Sequence, residues 1–217
     1  MAALSDEEVA ARALAVIDAD NRAVGAAAAC VGPDFVRVAR LLASCRGKVL
    51  VTGSGTSGIV ASRAAHLFSF CGTPSFYLSP ADGLHGGLGA LQPDDLVIAL
   101  SKFGGSDELN EFCRLARARC SGLAVVTARA TSPLTALADV VLAIHLEDDA
   151  DLGGIAATGS SLAMGAIIDA LVEVARLSRG VTWEAMLDTH PLGGVAHDAR
   201  ARQAAPGDRA SALGSAT

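Results

Sequence analysis

Apolar and polar positions along the 217-residue chain follow two distinct periods. Helical spacing of apolar residues runs to about Ala29, behind Ser5 and the acids Asp6, Glu7 and Glu8. A hydroxyl cap with acids in the first turn is a good helix start. "GPDFVRVARLLASC" predicts a second helix with Pro33 near its beginning. "KVLVT" predicts a short buried strand, and "IVASRAAHLFSFCG" a helix closed by Gly72. "SFYLS" and "DLVIAL" predict strands, while "ADGLHGGLGAL" between them is too rich in glycine for a regular element. The loop "SKFGGS" leads into the helix "DELNEFCRLARARC". "GLAVVTA" is another strand, followed by a short helix near Pro133 and the strand "VVLAIHL". After the acidic loop "EDDADLGG" comes a long apolar helix, "SSLAMGAIIDALVEVARL". A shorter helix, "WEAMLDTH", follows behind a Thr182 cap. Beyond Val195 the pattern dissolves into Ala, Arg, Gly and Ser.

Strands that alternate with helices need crossover connections, which implies α/β architecture with a parallel sheet covered on both faces. Residues 1–194 are expected to form one domain, and residues 195–217 a flexible tail. Hydrophobic residues make up 51% and charged residues 18%, as in a well-buried globule. The net charge of −6 argues against a broad nucleic-acid footprint. No apolar run approaches the length of a membrane span, and the acidic N-terminus lacks the basic start of a secretory signal. The five cysteines, Cys30, Cys45, Cys71, Cys113 and Cys120, show no metal-ligand spacing. They read as buried free thiols in a reducing cytoplasm.

The stretch "VLVTGSGTSG", residues 49–58, carries the candidate chemistry. Gly53, Gly55 and Gly58 satisfy the dinucleotide fingerprint G-x-G-x-x-G, which is weak alone. A dinucleotide site needs an acid closing the second strand. That strand ends "FYLSP", and Asp82 lies beyond it. Ser54, Thr56 and Ser57 also fill the loop with hydroxyls. A second strand-to-helix loop has the same composition: Ser101, Lys102, Gly104, Gly105 and Ser106. Two such loops at one sheet edge, each opening a helix, suit a compact phosphate monoester. The plain alternative is a pair of tight turns with solvated serines. Thr158, Ser160 and Ser161 open the long apolar helix, where they cap it or meet a ligand.

Several stretches, taken in order, resemble the SIS (sugar isomerase) domain family, and within it the isomerase domain of arabinose 5-phosphate isomerases. They are "VTGSGTSG", "GTPSFYLSPADGLHGGLGALQPDDLVIALS", "SKFGGSDEL", "LADVVLAI", "GIAATGSSLAMGAIIDAL" and "THPLGG", which together cover roughly residues 49–194. The resemblance implies a three-layer αβα sandwich around a central parallel sheet, with SIS-type, flavodoxin-like topology. It implies a phosphosugar aldose–ketose isomerase of the cytoplasm and a homotetramer, with no organic cofactor and no metal. Members of the group often carry a regulatory CBS pair after this domain; none is expected in this chain. The resemblance places Thr56 where the family has a lysine, and Gly105 where it has a glutamate. It matches His190 to the closing histidine, His85 to the histidine of the second-strand loop, and Asp149 to the acid before the core helix. Lys102 stands where a small polar residue is usual, and Phe103 replaces a loop serine.

Isomerisation through an enediol needs a base near neutrality, an acid, and a grip on the phosphate. Histidine suits the proton transfer. His190, before Pro191 and Gly193, projects from a turn, although a helix-end histidine also caps carbonyls. His85 sits among glycines. His66 reads as a core or interface residue, His145 ends a strand, and His197 falls in the tail. Of Glu147, Asp148, Asp149 and Asp151, most are expected to be solvated, with Asp149 turned toward the sugar. Catalysis is thereby assigned to His190, His85 and Asp149. Phosphosugar binding is assigned to Ser54, Thr56, Ser57, Ser101, Lys102, Ser106, Thr158 and Ser160. Two rival readings remain: a non-catalytic phosphosugar-binding or regulatory module, and a nicotinamide-dependent oxidoreductase.

Overall fold

The structure, a computed structural model, describes residues 4–189 and Gly194. His190, His197 and the predicted tail lie outside the described residues. Helix α1 covers Asp6–Ala27. Its start is a reciprocal cap: Ser5 Oγ accepts from the Glu8 N–H, and Glu8 Oε2 accepts from the Ser5 N–H at 2.8 Å. Helix α2 spans Pro33–Ser44, with its proline in the first turn. Then follow β1 (Val49–Thr52), α3 (Gly55–Phe70) and β2 (Ser75–Tyr77).

The glycine-rich stretch after β2 is more ordered than its composition predicts. Ser79 accepts from the Asp82 N–H, Pro80 fits the first turn, and a short helix α4 forms at Pro80–Leu84. Gly86, at φ +113°, ends it. The chain continues through β3 (Leu96–Ser101), α5 (Asp107–Arg117), β4 (Gly122–Thr127) and β5 (Val140–Ala143). A single 3₁₀ turn, Thr135–Leu137, stands where the short helix near Pro133 was expected. Strand β5 stops at Ala143, short of His145, because the acidic segment behind it pairs with no strand. Helices α6 (Gly159–Ser178) and α7 (Trp183–Asp188) complete the described chain.

All five strands are parallel, in the order β2-β1-β3-β4-β5. Side chains alternate between the two faces. Val49, Val51, Ile98, Ala124 and Val126 join the core under α1, α2, α3 and α6. Leu50, Val97, Ala99, Leu123 and Val125 join a second core under α5. A buried parallel sheet needs this cover on both sides. The strand order reverses direction between β1 and β3. In open α/β sheets such a reversal opens a crevice at the carboxyl ends of the two strands. The loops after β1 and β3 therefore flank one crevice, and these are the two hydroxyl-rich loops.

Candidate functional site

The first loop is packed too tightly for side chains at two of its glycines. A Cβ on Gly53 would lie 2.9 Å from the Leu100 carbonyl oxygen, and one on Gly58 would lie 2.7 Å from the Gly53 carbonyl oxygen. Gly55 has φ +57°. The G-x-G-x-x-G spacing thus follows from a tight turn and close helix–strand contact. Ser54 precedes α3, but its hydroxyl makes no cap; Oγ is buried without a hydrogen-bond partner among the described residues. Thr56 and Ser57 lie in the first turn of α3, where backbone N–H groups have no helical acceptor. Asp82 is used locally: Ser79 Oγ donates to its Oδ2 at 2.6 Å.

The second loop is held from several sides. Ser101 Oγ accepts from the Gly104 N–H at 3.0 Å, and Ser106 caps α5 by accepting from the Leu109 N–H. The hydroxyl hydrogens of both serines remain to donate. The Lys102 carbonyl accepts from the Ala128 N–H at 3.0 Å and from Thr127 Oγ1 at 3.2 Å. Gly105 has open space where a Cβ would stand. Phe103 is 53% exposed, with the Lys102 ammonium 4.5 Å and the Arg129 guanidinium 5.5 Å from its ring centre.

The head of α6 supplies a third set of groups. Thr158 Oγ1 accepts from the Leu152 N–H at 3.3 Å, so it braces the preceding loop instead of capping the helix. Ser160 is fully buried, and its Oγ has no well-formed hydrogen bond among the described residues. The Ser160 N–H donates to Asp151 Oδ1 at 2.9 Å. Asp151 Oδ2 in turn lies 2.5 Å from Lys102 Nζ, with the Asp151 side chain only 2% exposed. Burial pushes the Asp151 carboxyl up, but Lys102 and the Ser160 N–H outweigh it and hold the group below the usual range.

The acidic run therefore divides in an unexpected way. Asp149 is 63% exposed and pairs with Arg22 of α1, which also binds Glu147. Asp151 is the acid joined to the second loop. Sequence reasoning missed this pair. Its only signal was a lysine in a loop of small polar residues and an acid just before the α6 segment. Asp149, Asp151 and Thr158 do line a common cavity of about 400 Å³ against α1, together with Arg12 and Asp20. His85 ends α4 in an exposed position beyond β2, where its N–H donates to the Ala81 carbonyl. His66 is exposed and stacks on Phe70, with ring centres 6.5 Å apart, so it is not a core residue. Among the described residues no cluster of His, Cys, Asp or Glu could hold a metal ion, and no helix is long and apolar enough to cross a membrane.

The model of the SIS domain family matches residues 41–174. The chain is 34% identical over 165 residues to arabinose 5-phosphate isomerase GutQ of Escherichia coli K12, covering 76% of this chain and 51% of that protein. It thus spans about half the length of the curated relatives it matches. A crystal structure of a Listeria monocytogenes protein superposes with TM-score 0.82 at 27% identity, covering 87% of this chain and all of its own. An E. coli CFT073 protein, solved in complex with arabinose 5-phosphate, superposes with TM-score 0.80 at 27% identity and the same coverage.

Proposed function

Because the chain belongs to the SIS domain family, we propose that it is a phosphosugar isomerase interconverting an aldose phosphate and its 2-ketose, with arabinose 5-phosphate the first substrate to try. The observation that carries this is the placement of two hydroxyl-bearing loops on either side of the crevice between β1 and β3. The phosphate sits there, against the free N–H groups of α3 and α5 and the hydroxyls of Ser54, Thr56, Ser57, Ser101 and Ser106. Ser54 Oγ, buried and unpartnered, gains an acceptor when phosphate enters. Lys102 reaches toward the sugar from this loop, and Thr158 and Ser160 back the sugar site from the head of α6. His190 moves the proton between the two carbons, His85 supports the sugar hydroxyls, and Asp149 serves the mouth of the site. The reaction uses no organic cofactor or metal. The protein works in the cytoplasm as a homotetramer, burying apolar residues such as Leu14, Ile17, Ile59 and Ile155 that a single copy exposes.

A panel of aldose and ketose phosphates, assayed for interconversion, tests the activity. Parallel titration with NAD and NADP is expected to show no binding. One observation favours a second reading, a module that binds phosphosugars without converting them: Thr56 and Gly105 offer no proton-transferring group in either loop. Tight binding of one sugar phosphate with no turnover across the panel would select that reading.

A further inference from the structure

Among residues 53–57, 101–106 and 158–161, Lys102 is the only basic side chain. Several contacts fix its position. The backbone is clamped to the end of β4 through its carbonyl, and the side chain runs beside the Phe103 ring. The ammonium ends 2.5 Å from an almost sealed carboxylate, which the head of α6 holds through the Ser160 N–H. Taking such a pair out of water is costly, and apolar residues of similar volume often hold a fold equally well. The pair also lies at the carboxyl edge of the sheet, and Lys102 keeps 19% of its side chain open. Asp151 Oδ2 meets the ammonium as an ion pair without an aligned hydrogen bond. The ammonium's N–H donors make no hydrogen bond among the described residues.

Asp151 largely neutralises Lys102, so the pair attracts a phosphate dianion less than a free lysine would. It can still place an N–H donor beside one oxygen that gains charge during a reaction. We infer that Lys102, aimed by Asp151, is the electrophilic catalytic residue that binds the substrate's carbonyl oxygen and stabilises its enediolate. Lys102 is then catalytic, and Asp151 is a positioning residue. This inference rests on the isomerase reading above.

The step balances as follows. A base removes the C2 proton of the aldose, and the C–H electron pair forms the C1=C2 bond. The carbonyl pair moves onto O1, where Lys102 donates its hydrogen bond. The O2 proton then leaves as C2=O forms, while C1 and O1 each take up a proton. Lys102 keeps its own protons throughout.

Calorimetry with two probes tests the inference. One is inorganic phosphate. The other is the hydroxamate of D-erythronate phosphorylated at its terminal hydroxyl, which mimics the five-carbon enediolate. Lys102→Met strands a buried carboxylate, so the main variant is Lys102→Met/Asp151→Asn, which removes both charges together. It is expected to lose about 10²–10³-fold in hydroxamate affinity, the usual worth of one oxyanion donor, and to keep its phosphate affinity. Asp151→Asn alone should lower kcat without raising KM, and Asp151→Glu should restore part of the loss. Equal loss for both probes would make Lys102 a phosphate ligand and overturn the inference. Unchanged affinity for both would make the pair structural and overturn it too. If the wild type converts no sugar phosphate yet shows the selective hydroxamate loss, the isomerase reading fails and the place of Lys102 stands.

Discussion

The Asp95 carboxylate holds Lys48 at both ends: Oδ1 accepts its backbone N–H at 2.7 Å, and Oδ2 lies 2.8 Å from its ammonium. Asp95 is buried and also accepts the Gln92 N–H at 2.9 Å. The contact ties the entry of β1 to the entry of β3, at the end of the sheet opposite the crevice. Burial pushes the Asp95 carboxyl up, but Lys48 and the N–H donors outweigh it and hold it below its ordinary value. Asp151 is shifted the same way. The folded chain thus keeps both groups charged where the unfolded chain takes up protons. Their stabilisation is fully present above about pH 4 and is lost as pH falls through the lower folded values. Asp95→Asn should cost about 3 kcal/mol at neutral pH, the low end for a broken buried pair because Lys48 is partly open. It should also flatten the acid limb of stability. Urea unfolding measured from pH 3 to 7 checks both; an unchanged acid limb would rule out this role for Asp95.

Ser54→Ala separates folding from binding. The hydroxyl is buried and unpaired, so removing it should leave thermal stability equal or slightly raised. Sugar-phosphate affinity should fall by about 1.5–3 kcal/mol, the range for a hydrogen bond to a charged group. Melting curves and calorimetry decide the matter; a variant that melts lower and binds normally would remove Ser54 from the phosphate site.

His190→Ala should reduce turnover by about 10²–10⁴-fold, as expected for a positioned acid or base. Sugar-phosphate binding should change little, because the proposed phosphate grip is assigned to the loops after β1 and β3. His85→Ala should lose less. Steady-state kinetics with separate kcat and KM values gives the answer. Equal rates for wild type and His190→Ala would exclude His190 from the proton transfer.

Light scattering at micromolar concentration should return the mass of a tetramer. Leu14 and Ile17 on α1 are each 62% exposed, and Ile59 on α3 is 72% exposed. Ile59→Glu or Ile17→Glu should shift the mass downward with the fold retained by circular dichroism, because a buried unpaired charge is costly at an apolar contact. A monomeric wild type would refute the assembly.

The α/β class and the elements themselves were legible in the chain, because apolar period and caps are local properties. Ser5 with Glu8, Thr182 ahead of α7 and the glycines of the first loop all act within a few residues of themselves. The ordered stretch after β2 was partly hidden: Ser79 and Pro80 signalled a helix start, but glycine content masked it. The two hydroxyl-rich loops were also readable, since each joins a buried strand to a helix with hydroxyls between. What only the tertiary structure decided is which side chains meet across the crevice. Strand order 2-1-3-4-5 brings the loops after β1 and β3 together, and no local pattern encodes that order. The same holds for the acids. Asp149 and Asp151 stand two residues apart with similar neighbours, yet one reaches Arg22 in solvent and the other reaches Lys102 in the interior. Their fates depend on how the segment before α6 lies between α1 and the β3 loop. That placement comes from long-range packing of α6 against α1 and α3, so the partners of a charged side chain there are set by groups far away in sequence.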